Sequence, residues 1–86
     1  MVSANIRVTS PLGLHLRPAM KLCAEAQKYR AECTFQVRDT RGNMKSMLQL
    51  LAVGARCGDM VGILCEGPDE EEALDALQRV FMEELQ

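Results

Sequence analysis

The stretch from Val2 to Ala19 reads VSANIRVTSPLGLHLRPA, and its period changes halfway. In the first half Val2, Ala4, Ile6 and Val8 alternate with Ser3, Asn5, Arg7 and Thr9. A period of two predicts a strand with one buried face. Ser10-Pro11-Leu12-Gly13 then breaks the pattern. From Leu16 to about Tyr29 the period is helical. Ala19, Leu22, Cys23, Ala26 and Tyr29 share one face, with Lys21, Glu25 and Lys28 opposite. Pro18 suits the first turn of such a helix, where an amide would have no intrahelical partner. The chain's single histidine, His15, therefore stands where a strand hands over to a helix.

Two more switches of period follow. Cys33, Phe35 and Val37 alternate with Thr34, Gln36 and Arg38, which predicts a second strand. Asp39-Thr40-Arg41-Gly42-Asn43 reads as a turn, across which a short third strand pairs back. Ser46 and Gln49 have the spacing of a capping box, predicting a short helix to Val53 with Gly54 as its stop. Met60–Cys65 is an apolar run suited to a fourth strand, ended by Gly67-Pro68. Asp69 reads as the N-cap of a last helix whose first turn holds Glu70, Glu71 and Glu72. Its apolar face is Leu74, Leu77, Phe81 and Leu85.

The resulting order is β-α-β-β-α-β-α. One apolar face per helix favours an α+β fold, an antiparallel sheet covered on one side by helices. At 86 residues the chain makes one domain, 1–86, with a thin core of aliphatic and methionine side chains.

Composition excludes several functions. A net charge of −2 and three aromatic residues give neither a basic face nor a stacking platform for nucleic acid. No run approaches a membrane span, and no signal-peptide core is visible, so the expectation is a cytoplasmic protein. Cys23, Cys33, Cys57 and Cys65 lack metal-ligand spacing and are read as free, mostly buried thiols. Neither a metal site nor a cofactor is expected.

His15 admits a plain reading, a surface histidine at a helix start. Its setting supports a chemical one. Unpaired amides and the helix dipole favour an anion there, and the same field favours the neutral, nucleophilic ring. Arg17 adds a guanidinium suited to phosphate. No Ser or Cys nucleophile or second histidine accompanies it, and no phosphate-binding glycine loop is present. Such a site can hold a phosphoryl group but has no means of taking one from ATP. It needs a donor protein and an acceptor protein.

Gly13-Leu14-His15-Leu16-Arg17-Pro18-Ala19 resembles the active-site signature of the histidine-containing phosphocarrier proteins (HPr) of the bacterial phosphotransferase system. Lys45-Ser46 and Glu66-Gly67-Pro68-Asp69 fall where that family places similar residues, and the likeness extends over nearly the whole chain. The resemblance implies an open-faced β-sandwich with a four-stranded antiparallel sheet under three helices. It implies that His15 accepts a phosphoryl group on Nδ1 from enzyme I, steadied by Arg17, and passes it to an A component of a sugar permease or a regulatory branch. It implies a second, regulatory phosphorylation at Ser46 by a dedicated serine kinase. A monomer suffices for such transient work.

Leu16, Met20 and Ala24 form a second apolar stripe on the first helix. Leu16 and Met20, with Met47, are read as an exposed docking patch for partner proteins. Leu48 and Leu51 belong to the same candidate patch, although Leu48 taken alone reads first as core. Leu12 and Leu16 depart from the sugar-transport pattern, whereas Leu12, Met20, Lys21 and Leu22 resemble the nitrogen-regulatory branch. The principal alternative is a regulatory binding protein of the same fold, controlled through Ser46. A small ligand-binding domain would need an apolar pocket to which no residue points.

Overall fold

The computed structural model describes residues 1–86. Four strands and three helices alternate as expected: β1 Val2–Arg7, α1 Leu16–Ala26, β2 Glu32–Val37, β3 Thr40–Asn43, α2 Met47–Val53, β4 Met60–Glu66 and α3 Glu70–Leu85. The sheet order is β1-β4-β2-β3, antiparallel throughout. Register pairs Ile6 with Val61 and Phe35 with Ile63, so the alternating apolar positions of adjacent strands face the same way. Cys33, Phe35, Val37, Val61, Ile63 and Cys65 are buried beneath the helices. Ser3, Asn5, Arg7 and Gln36 point to solvent on the open face. One 21-residue apolar cluster joins this face to Ala19, Leu22 and Ala26 of α1, Leu50 of α2, and Leu77, Phe81 and Leu85 of α3.

Several elements differ from expectation. The first helix ends at Ala26, not Tyr29, and the amides of Lys28 and Tyr29 bond in tight turns to Glu25 and Ala26. Tyr29 still packs against the core. Asp39–Asn43 is not one turn. Thr40–Asn43 is the third strand itself, paired in a hairpin that places Val37 opposite Thr40. Arg38 therefore leaves the second strand. It takes a left-handed φ of 54°, and its guanidinium bonds the Val53 carbonyl at the end of α2 and the Asp59 carboxylate. That contact sets a cation at the negative end of the α2 dipole, an arrangement no local pattern announces.

The caps also divide into expected and unexpected. Ser46 Oγ accepts from the Gln49 amide at 3.3 Å, and Gly54 ends α2 in the left-handed region. The capping box is only half made, because Gln49 Oε1 accepts instead from the Asn43 amide at 2.7 Å. Asp69 occupies the N-cap of α3 but does not cap it. Its carboxylate accepts from the amides of Arg30 and Ala31 at 2.9 and 2.8 Å, tying the α1–β2 connection to the start of α3. Glu70 closes the turn from the other side by accepting from the Gly67 amide.

Three of the four thiols are buried and Cys57 is exposed. Cys33 and Cys65 are direct cross-strand partners with sulfurs 4.0 Å apart. Burial pushes the Cys65 thiol up to about 12, so the pair fills space as neutral thiols rather than as thiolates.

The segment between β1 and α1 is held by one close approach. Gly13 has a φ of 67°, and a Cβ added there would lie 2.5 Å from the Ala55 carbonyl oxygen and 3.0 Å from Arg56 Cα. The next amide, that of Leu14, donates to the same Ala55 oxygen at 2.9 Å. Gly13→Ala is expected to cost about 1–3 kcal/mol, from the left-handed backbone and the displaced segment together. Chemical denaturation of the two proteins measures it.

Asp69 gives a pH signature. The Arg30 amide, and after it that of Ala31, hold its carboxyl below the usual carboxylate range. Its folded value lies below its unfolded value, so its contribution is complete at neutral pH and disappears as pH falls from about 4 through the folded value. Asp69→Asn is expected to lower the melting temperature at pH 7. It should also flatten the acid limb of melting temperature against pH, which thermal melts from pH 7 to pH 2 record.

Candidate functional site

His15 is the N-cap of α1, with extended backbone at φ −105° and ψ −169°. Its own carbonyl accepts the first helical bond, from the Ala19 amide at 3.1 Å. Its ring is half-buried and makes no hydrogen bond to the helix it begins. The next two amides, those of Leu16 and Arg17, have no acceptor in the protein. Pro18 carries no amide, and no acidic residue occupies the first turn. The helix start thus presents two unsatisfied donors beside the ring, with its dipole's positive end and no carboxylate of its own turn to occupy it. An oxyanion beside the ring would satisfy both donors at once.

Each neighbouring contact has a source elsewhere in the chain. The turn before His15 is fixed by Gly13 and Leu14 against Ala55, just past the stop of α2. The amides of Thr9 and Ser10 both donate to the Leu85 carbonyl at 3.0 Å, which satisfies the last turn of α3 beside the same segment. α1 and α3 pack side by side. The Arg17 side chain is 72% exposed and is not free of partners, because its Nε lies 3.4 Å from Glu84 Oε1. Lys21, one turn on, reaches the other oxygen of Glu84 at 3.1 Å. Glu84 was not legible as part of the site. Its only sequence signal is an acid in the last turn of a helix, where the dipole disfavours one.

Among the apolar candidates, Leu16 and Met20 stand exposed at 57% and 54%, beside His15 and on the next turn of α1. Leu48 is not core. It is the most exposed large apolar residue of the chain at 81%, because α2 turns Leu50 and Val53 inward instead. Leu51 is also exposed, whereas Met47 is half-buried and packs against the core. Of the candidate patch, Leu16 and Met20 on α1 and Leu48 and Leu51 on α2 are thus exposed, whereas Met47 is not. Leu12, in the turn before His15, adds a further exposed aliphatic side chain.

Ser46 is not brought to His15. Of the chain around α2, the part that meets the turn before His15 is Ala55, past the helix's C-terminal end, and Ser46 lies at the other end of this seven-residue helix. The separation along the axis is about 10 Å. No group of three or more His, Cys, Asp or Glu side chains converges to hold a metal ion, and no helix is long and apolar enough to cross a membrane.

Comparison with known proteins agrees with this architecture. A family model described as the PTS HPr component phosphorylation site matches residues 2–83. The phosphocarrier protein HPr of Mycoplasma pneumoniae is 37% identical over 82 residues, which is 94% of this chain and 93% of that protein. The phosphocarrier protein HPr of Treponema pallidum is also 37% identical, with 100% of this chain and 98% of that protein covered. A solved structure of the histidine-containing phosphocarrier protein of a mycoplasma superposes with a TM-score of 0.94 at 28% identity, covering 95% of this chain and 93% of the other. With the β-α-β-β-α-β-α order and a family match running through the helix start at His15, the chain belongs to the HPr family of phosphocarrier proteins of the phosphotransferase system.

Proposed function

We propose that His15 is the residue that carries the phosphoryl group, received from phosphorylated enzyme I and delivered to an A component of a sugar permease or a regulatory branch. The observation that carries this reading is a half-buried histidine at the N-cap of α1, followed by two amides, Leu16 and Arg17, that have no acceptor in the protein and no acid in their turn. In the loading step the Nδ1 lone pair attacks phosphorus as the donor's nitrogen–phosphorus bond breaks. The donor nitrogen keeps that electron pair, and the His15 ring holds the phosphoryl group with its remaining proton on Nε2. Delivery is the same exchange with the roles reversed. Developing charge on the phosphoryl oxygens meets the free amides and the terminal nitrogens of Arg17. The protein supplies position and field rather than a complete active site, so each partner completes the reaction.

Exposed Leu16, Met20, Leu48 and Leu51, with Leu12 at the rim, form the docking surface in this reading. The carrier works in the cytoplasm as a monomer, because a partner must cover the face that holds His15. Incubation with phosphoenolpyruvate and enzyme I is expected to give an acid-labile, base-stable phosphate that His15→Ala abolishes. A label that survives His15→Ala would overturn the assignment.

Ser46 supports a regulatory branch of the same function. Its hydroxyl is partly accessible at the N-cap of α2, where the dipole tolerates a phosphate. Phosphorylation by a serine kinase would leave α2 folded while placing negative charge at the edge of the docking surface. Ser46→Asp is expected to keep the wild-type melting temperature and to slow transfer from enzyme I by about tenfold, through like-charge repulsion at the rim. Equal rates for the two proteins in a single-turnover assay would remove this branch.

A further inference from the structure

Arg38 is the one residue other than glycine in the left-handed region, with a φ of 54°. That backbone strains an arginine, whereas glycine adopts it freely. The side chain crosses from the β2–β3 hairpin to the connection between α2 and β4, residues 54–59. One terminal nitrogen of its guanidinium donates to the Val53 carbonyl at 2.8 Å, where that connection starts, and the other to Asp59 Oδ2, where it ends. The same Asp59 oxygen accepts from the Arg56 amide at 2.8 Å. Ala55 and Arg56 are the residues whose backbone meets Gly13 and Leu14. Gly54 and Gly58 bracket them, with φ of 62° and 95° and open space where a Cβ would stand. A stretch with a glycine at each end has little stiffness of its own, so its shape is imposed from outside.

We propose that Arg38 and Asp59 are positioning residues for phosphoryl transfer. They clamp the connection at both ends, hold Ala55 and Arg56 against the turn before His15, and so set the helix start that carries the reacting ring. Two observations separate this role from plain stabilisation. The Arg38 side chain is 53% exposed, and an ion pair at such exposure contributes little to folding. Its backbone is also strained where a glycine would not be. Strain kept beside a weak ion pair is accounted for by what the contact places. The path to the site is short and continuous. Arg38 holds Val53 and Asp59, Asp59 holds Arg56, the Ala55 carbonyl receives the Leu14 amide at 2.9 Å, and His15 follows as N-cap. The Asp59 carbonyl also accepts the Val8 amide at 2.9 Å, which fixes the chain where it leaves β1.

The inference rests on the assignment of His15 as carrier, and one reagent tests both. Phosphoramidate loads a histidine without any protein donor: the ring nitrogen attacks phosphorus, the nitrogen–phosphorus bond of the reagent breaks, and its nitrogen leaves with that electron pair as ammonia. Arg38→Gly removes both contacts and relieves the left-handed strain, so its melting temperature is expected to stay close to that of the wild type. Its loading rate is expected to fall about three- to tenfold, less than the loss that follows a misplacement of about 1 Å. Asp59→Ala is expected to lose as much. Asp59→Asn, which keeps an oxygen for both donors, should recover most of that loss. The double variant Arg38→Gly/Asp59→Ala should be no slower than either single one, since both act through one clamp. Hydrogen exchange locates the cause: in both single variants the Leu14 amide should exchange faster, while amides in the middle of β4 keep their wild-type rates. Equal loading rates in the wild type and Arg38→Gly overturn the proposal and leave the carrier assignment intact. An Asp59→Asn protein as slow as Asp59→Ala does the same, as does exchange that rises through the whole sheet. A wild-type protein in which phosphoramidate produces no phosphohistidine overturns the carrier assignment and this inference together.

Discussion

The structure depends on the contact between Gly13 and the Ala55–Arg56 backbone. β1 leaves the sheet at Arg7 and the chain must reverse into α1 within eight residues. It does so against the segment that follows α2, where no side chain fits and the Leu14 amide finds the Ala55 carbonyl. That seam decides where α1 begins, and the N-cap is one residue further on. The position of the His15 ring therefore follows from the absence of a methyl group two residues earlier. A histidine at the same helix position without the seam would have no defined place in the fold.

The three helix starts differ in how they meet their unpaired amides. α2 receives the Ser46 hydroxyl, and α3 begins with three glutamates in its first turn. α1 receives nothing from the protein: no side-chain cap, no acid in its first turn, and a proline in place of a third donor. Each helix start leaves two amides without a protein acceptor, yet only at α1, beside the chain's one histidine, is neither a side-chain cap nor an acid supplied, which costs that start some stability. The buried apolar cluster supplies the stability that makes this tolerable, and each fully buried leucine such as Leu22 or Leu77 contributes about 1.5–3 kcal/mol. The surface around the site follows the same division. α1 and α2 turn small or apolar faces inward and leave Leu16, Met20, Leu48 and Leu51 exposed, which is what the proposed docking role needs.

Much of this was legible in one dimension. Switches of period between two and 3.6 gave the order of elements, because the covalent chain imposes those periods on any face that must be buried. The Ser46 cap and Gly54 stop were legible because both are bonds or conformations within a few residues. Other features were local in appearance and nonlocal in fact. Asp69 has the chemistry of a helix cap, yet its oxygens are taken by Arg30 and Ala31 across the molecule. The residues Thr40–Asn43 have turn composition and form a strand, because an edge strand beside β2 needs backbone groups rather than apolar side chains.

The sequence alone determined that a single histidine would begin the first helix, between a glycine and an Arg-Pro pair, on a domain with one apolar layer. Burial periodicity and helix termini are properties of neighbouring residues, so they can be read without coordinates. Only the tertiary structure decided which groups meet the residues on either side of that histidine. Ala55 comes from the far side of α2 and Glu84 from the last turn of α3, whereas Ser46 stays a helix length away and Leu48 faces water. Those outcomes depend on how the helices are rotated and stacked on the sheet. That rotation is set by the summed packing of the core, which no short stretch of residues encodes.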